Sequence, residues 1–454
     1  MKAKHLVIAL SMLVSGACNF DIADPNNPGP IGTDPSPSEV GAAVNGILIA
    51  SRAGASGWNL ITGILGREAY RFDGSEPRFI SELLHGPLDP GDGFGGGQWA
   101  PEFTAIRSTN QVLGVIGTAS AYSASAQDAI RGLAETMQAY EFLMVVMGHS
   151  QDSIPVAVDQ PLTAPPAPFV SNDSALGFIS ALLDAADTHL AAAATDPFPA
   201  GVTLPSGFAG FDTPATFRQF NRALKAAVQV YRGSLGCGVP CYTTAKTLLE
   251  NGSTFIDTSA SADPQAGVYF NFSTNPGDAA NPLFQNPQTG ENYVNPRVVD
   301  SADTNASGAI DARVTAKVVS RPSQTTDSLT SAYGWIRYGS SNATMPLIKN
   351  EELVLLRAEA NNATGNGLLA AADVNYVRVK SGGVLPIVGL GAQPPDQILG
   401  AILHERWYSL LYEGHRWFDL RRTGRLGAFL LDRTDDQVFS TLPIPLGEVQ
   451  ARQP

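Results

Sequence analysis

The chain has 454 residues, 44% of them apolar and 16% charged, and a formal net charge of −13. That length and apolar share suffice for a large core or two merged lobes. The acidic balance excludes nucleic acid as a partner, because phosphate repels such a surface.

Lys2 and Lys4 precede an apolar run from Leu6 to Val14, followed by Ser15, Gly16, Ala17 and Cys18. The run is too short to span a bilayer as a helix, so residues 1–17 read as an export signal peptide. Small residues directly before Cys18 predict lipidation at that Cys. Ser15 stands where such sites usually carry Leu, and an ordinary secreted protein with a Cys near its cleavage site is the alternative. Asn19–Ser38 is rich in Pro, Asn, Asp and Gly and cannot bury enough apolar surface to fold. Residues 18–38 are therefore expected to form a lipid anchor and a flexible tether, with one domain over 39–454. No later run approaches the length of a membrane-spanning helix.

Helical periodicity recurs along that domain. Val40, Val44, Ile47 and Leu48 line one face. Ile130, Leu133, Met137, Tyr140 and Met144 line a second, and Leu176, Ile179, Leu183, Ala186 and Leu190 a third, with Asn172 and Asp173 as cap candidates. Phe217, Phe220, Leu224, Val228 and Tyr231 follow Thr213 as cap and Pro214 at the first helical position. Leu353, Leu356 and Ala360, then Val374 and Val377, predict two helices broken at Gly365 and Gly367. Leu399, Ile402, Leu403, Trp407, Leu410 and Leu411 predict another, capped by Asp396 and ending before Gly414. Paired amphipathic helices joined by short turns bury their faces by stacking, as in an α-solenoid.

Residues 251–341 have little helical period and many Asn, Pro, Gly and Ser. They predict a loop-rich lobe between helical stretches 39–250 and 342–454. The loop Asn271–Tyr293 is longer than compact domains usually tolerate without a function, and Gly86–Trp99 is a second, glycine-rich loop. Val314, Ala316 and Val318 alternate as a short strand would. Cys237 and Cys241 lie four apart with no His nearby, so a local disulfide or two free thiols remain open while a metal site does not.

Gly91, Gly93 and Gly96 satisfy G-x-G-x-x-G, but Pro87, Pro90 and Pro101 deny the strand and helix a dinucleotide site needs. Asp303, Asn305, Ser307, Gly308, Ile310 and Asp311 follow the start of a calcium-binding loop, yet Val314 stands where a bidentate Glu belongs. A structural turn is the reading preferred there. No metal motif and no cofactor are indicated. Asp89, Asp92 and Glu102 are the loop carboxylates nearest Trp99, and no partner pair for hydrolysis is evident.

The densest signal is Leu403–Leu426, LHERWYSLLYEGHRWFDLRRTGRL. Glu405, Glu413 and Asp419 each have an Arg close by: Arg406, Arg416 and Arg422. Paired carboxylates have lowered pKa values and make poor general acids, so the cluster reads as a buried scaffold. Glu405, Arg406, Leu411, Glu413, Gly414, Arg416, Trp417, Asp419, Leu420 and Arg422 resemble the C-terminal signature of the SusD/RagB family of nutrient-binding outer-membrane lipoproteins. Ser409 departs from it, standing where a second Glu is usual. LVLLRAEA (Leu353–Ala360), AADVNYVRVKSG (Ala371–Gly382), Asp311 with Arg313, and LPIPLGEVQA (Leu442–Ala451) resemble further segments of that family in the same order.

The resemblance implies a mainly α fold, a tetratricopeptide-like superhelical scaffold with an irregular lobe inserted. It implies a surface-exposed, lipid-anchored outer-membrane protein that binds an oligosaccharide or peptide and delivers it to a SusC-like TonB-dependent transporter. Binding rather than catalysis would be its work. Sugars stack on aromatic faces and meet amides with their hydroxyls, so the two long loops nominate Gln98, Trp99, Tyr269, Asn271 and Tyr293 as ligand contacts. Trp335, Arg337 and Tyr338 read as structural. A helical-toroid glycoside hydrolase and a transporter-free peptide-binding scaffold are the alternatives.

Overall fold

The computed structural model describes residues 31–453, apart from residues 92, 95–96, 150–153, 162 and 194–196. The expected export signal (residues 1–17), Cys18, Asp92 and Gly96 thus lie outside the described residues. Helix α1 (Pro37–Leu65) starts where a capping box allows it: the Ser36 hydroxyl accepts from Glu39 N–H, and the Glu39 carboxylate accepts from Ser36 N–H. The helix begins before the expected end of the tether at Ser38. The residues just ahead of it are docked, with Ser120 N–H donating to Asp34 Oδ1 at 2.7 Å.

The predicted stripes become helices α3 (Ala124–His149), α4 (Asn172–Ala193) and α5 (Pro214–Arg232), while α2 (Ala100–Ile116) and α6 (Val239–Glu250) join them where no stripe was singled out. After the lobe come α7 (Asn350–Ala363), α8 (Gly367–Lys380) and α9 (Pro395–Ser409). Each of α1 to α6 packs on the next, and α7 packs on α6, α8 and α9, giving one continuous helical stack. Ile130, Leu133, Met137, Phe217, Phe220 and Val228 are fully buried on the faces the periodicity predicts. Thr213 caps α5 through a reciprocal pair with Thr216, and Pro214 takes the first turn. The protein is mainly α-helical, as expected. Cys237 and Cys241 are joined as a disulfide across the α5–α6 connection, their Cα atoms 5.9 Å apart. Among the described residues no helix is long and apolar enough to cross a membrane.

Three local expectations are corrected. Asp396 lies in the first turn of α9, and Pro394 holds the cap position. The helix stops at Ser409, short of Leu410 and Leu411, because Tyr412 (φ 63°) and Gly414 (φ 85°) turn the chain. At Gly414 a Cβ would also lie 2.2 Å from Trp58 Nε1, so only glycine fits. Val314 and Ala316 form no strand. The Asp311 carboxylate caps the helical turn Ala312–Thr315 by accepting from Arg313 N–H, and the strand begins at Val318.

The segment after α6 is less irregular than its composition suggests. The short antiparallel pair β2 (Ile154–Pro155) and β3 (Phe169–Val170) lies between α3 and α4, and the segment after α6 contributes β4 (Gly267–Phe270), β5 (Asn292–Val294), β6 (Val318–Thr326) and β7 (Leu329–Trp335). With β1 (Ala69–Arg71) these make a sheet of order β1-β5-β7-β6, while β4 pairs antiparallel with β8 (Met345–Lys349). Asp327 and Ser328 both have positive φ, the conformation of a two-residue hairpin turn between β6 and β7. Trp335 of β7 stacks on Tyr412 at 4.3 Å between centroids, which clamps the sheet to the turn after α9. The calcium-like loop closes on itself. The Asn305 side-chain oxygen accepts from Ser307 and Ala309 N–H, while Asp303 is taken by Arg378 at 2.7 Å.

Candidate ligand-binding surface

The charged segment is a buried lattice, not a cleft; Asp419 meets Arg422 at 2.9 Å as expected, while the other two pairings differ from those expected. Glu405 meets Arg313 at 2.7 Å and Arg378 at 2.5 Å rather than Arg406. Glu413 meets Lys349 at 2.9 Å and Arg337 at 2.8 Å rather than Arg416. Arg406 pairs with Asp419 at 2.7 Å, and Arg422 joins Asp419 to Glu359. Neighbours one apart on a helix point away from each other, so partners come from other elements. Burial opposes charge on Glu413, yet Lys349, Arg337 and Lys317 hold its carboxyl well below the usual range. Arg416 stacks 3.3 Å above the Trp407 ring, and burial pushes its guanidinium down to about 10. Trp417 is fully buried and donates its indole N–H to Phe439 O at 2.7 Å. Ser409 accepts from Arg313 at 3.1 Å and donates to Glu351 at 3.2 Å, so the position lacking Glu is bridged to a carboxylate on α7. Asp303, His404 and Glu405 converge closely enough for a metal ion, but Arg378 bonds both carboxylates and occupies the cation's role.

Three of the five nominated ligand contacts are withdrawn into the core. Trp99 is 4% exposed, because it ends the glycine-rich loop at the cap position of α2 and packs against Phe103, His149 and Phe169. Gln98 is buried beside it, its carbonyl bonded to the His149 ring at 3.0 Å. Tyr293 sits in β5 under the Arg321 guanidinium at 3.7 Å. None offers a ring face or amide to a ligand.

The two long loops are instead joined through the segment after β1, by residues the periodicity did not single out. Strand β1 is a sheet edge, and the turn after it carries Asp73, whose Oδ1 accepts from Ser75 N–H, Ser75 Oγ and Glu76 N–H. The Ser75 hydroxyl and Arg71 hold the Asp73 carboxyl down to about 2. Arg71 bridges this turn to Glu291 of the second loop at 3.1 Å and covers the Phe79 ring at 4.6 Å. Phe79 meets Phe94 of the glycine-rich loop edge to face at 4.5 Å, and Arg78, paired with Glu76, lies over Phe94 at 5.1 Å. Phe79 and Phe94 are half-buried, while Arg78, Asn286 and Gln288 are exposed. The result is a shelf of two aromatic rings edged by ion pairs.

Tyr269 and Asn271 stay accessible at a different place. Both line a cleft of about 710 Å³ with Asn45, Arg52, Phe208 and Asp278. Arg52 reaches from α1 to Asn271 O at 2.5 Å and to Asp278 at 2.6 Å, which pins the start of the long loop. Tyr269 also borders a second cleft, of about 1060 Å³.

Comparison with known proteins agrees with this architecture. The model of the SusD family matches residues 244–450. SusD-like protein P38 of Formosa agariphila is 37% identical over 86 residues, a stretch spanning 17% of each chain. Among solved structures, B. fragilis NanU superposes with a TM-score of 0.67 at 16% identity, covering 91% of this chain and 94% of that one. A laminarin-binding SusD-like protein superposes with a TM-score of 0.64 at 17% identity, covering 91% and 97%. Residues 244–450 of this chain are thus similar to the SusD family, and its fold is shared almost end to end with SusD-like solved structures.

Proposed function

We propose that the protein binds a polyhydroxylated nutrient, an oligosaccharide first of all, on the Phe79–Phe94 shelf. It then hands the ligand to a SusC-like TonB-dependent transporter, held at the outer membrane by lipid on Cys18. The observation that carries the reading is the shelf itself, where the half-buried Phe79 and Phe94 rings stand beside the ion pairs Arg71–Glu291 and Arg78–Glu76. Rings supply apolar faces for sugar C–H groups, and ion-paired side chains still offer directional hydrogen bonds to hydroxyls. Binding without turnover fits the carboxylates present. Asp73 and Glu76 are both hydrogen-bonded and lowered, and a glycosidase needs one acid raised toward neutrality.

The test is calorimetry with soluble oligosaccharides, laminarin-type glucans serving as the first probe. A Phe79→Ala/Phe94→Ala protein should lose roughly 1–3 kcal/mol of the wild-type affinity with little change in melting, as for truncated interface anchors. Unchanged affinity in that variant would place the ligand elsewhere.

A further inference from the structure

The cleft of about 1060 Å³ between β4 and the Ala312–Lys317 turn is bounded by Gln265, Tyr269, Arg313, Lys317, Arg337 and Glu351. Its charges are layered. The Lys317 and Arg337 side chains are 10% and 16% exposed, while Asp311 and Glu405, behind Arg313, are 0% exposed and Glu413 is 1% exposed. The N–H donors therefore face the opening and the carboxylates stand behind them. Glu351, the one carboxylate among these lining groups, is already held by Lys349 at 3.2 Å and by Gln265 Nε2 at 2.7 Å. An incoming anion meets donors first, in a place where burial strengthens each charge-assisted bond.

We propose that this cleft binds a small sugar acid, its carboxylate received by Lys317 and Arg337 and its ring laid against Tyr269. The site is separate from the shelf and does not depend on it. A net charge of −13 repels polyanions at long range, so a single acidic group on an otherwise neutral, hydroxylated molecule is the chemistry favoured. Lys317 gives the binding a signature. It donates to Tyr408 O at 2.8 Å and Ser409 O at 2.7 Å, and burial pushes its amine down to about 7. Glu413 and Glu351 oppose that shift, while Lys349 and Arg337 add to it. At neutral pH the amine is thus partly unprotonated until a carboxylate arrives and draws a proton onto it.

The experiment titrates the full-length protein with glucuronate, glucose and acetate at pH 7, in two buffers of different ionisation enthalpy. Glucuronate should bind at least tenfold more tightly than glucose or acetate and take up a fraction of a proton. Lys317→Arg, whose charge does not titrate in this range, should bind glucuronate with no proton uptake. Lys317→Met should lose the preference over glucose; if it does not fold, the Lys317→Arg comparison still decides. The Phe79→Ala/Phe94→Ala protein should bind glucuronate as wild type does. Equal affinity for glucuronate and glucose, or proton uptake that survives in Lys317→Arg, would overturn the proposal.

Discussion

At the scale of single residues, exposure could not be inferred from loop composition. Trp99 follows a run of glycines, but the loop ends by delivering it to the start of α2, where three aromatic neighbours enclose it. Glu102, one turn later, is 4% exposed, and its Oε2 has no hydrogen-bond partner among the described residues. Burial raises its carboxyl to about 7. The folded pKa is above the unfolded one, so its favourable contribution is complete below about pH 4.5 and is lost as pH rises through about 7. Glu102→Gln should remove that part of the pH dependence, worth ~3 kcal/mol between pH 4.5 and 8. Urea denaturation of both proteins across that range checks it, and identical profiles would mean that Glu102 is ionised in the fold.

At the scale of elements, Leu403–Leu426 acts as a tie between helices and sheet. Glu413 anchors it, binding Lys349 at the end of β8 and Arg337 beyond β7. Glu413→Gln keeps the shape and removes the charge, leaving two buried cations short of an acceptor. The expected cost is ~3 kcal/mol, measured as a lower denaturant midpoint at unchanged slope. Lost ligand binding with an unchanged midpoint would instead make this segment a site. The lattice was legible as a scaffold from its density of Glu, Asp and Arg. Its partners were not, because Arg313, Arg337, Lys349, Glu359 and Arg378 are distant in sequence.

At the scale of the whole molecule, a helical stack carries a lobe whose loops meet the loop after β1, so the shelf joins the first and middle thirds of the chain. An exposed binding surface of this kind is useful to a transporter only if it is held nearby. Cys18→Ser should release the protein from outer-membrane fractions into the soluble fraction, read by immunoblot after fractionation. A variant that still partitions with membranes as wild type does would rule out Cys18 as the anchor.

The sequence by itself determined the helical stripes, the capped start of α5 and the family signature. These depend on local periodicity and on residue types at fixed spacing, which survive without knowledge of the fold. Tertiary structure alone decided which side chains face solvent. It buried Gln98, Trp99 and Tyr293, left Tyr269 and Asn271 at cleft walls, and raised the unremarked Phe79 and Phe94 into a shelf. Exposure is a property of the partners a residue meets across hundreds of positions, and no local pattern encodes those partners.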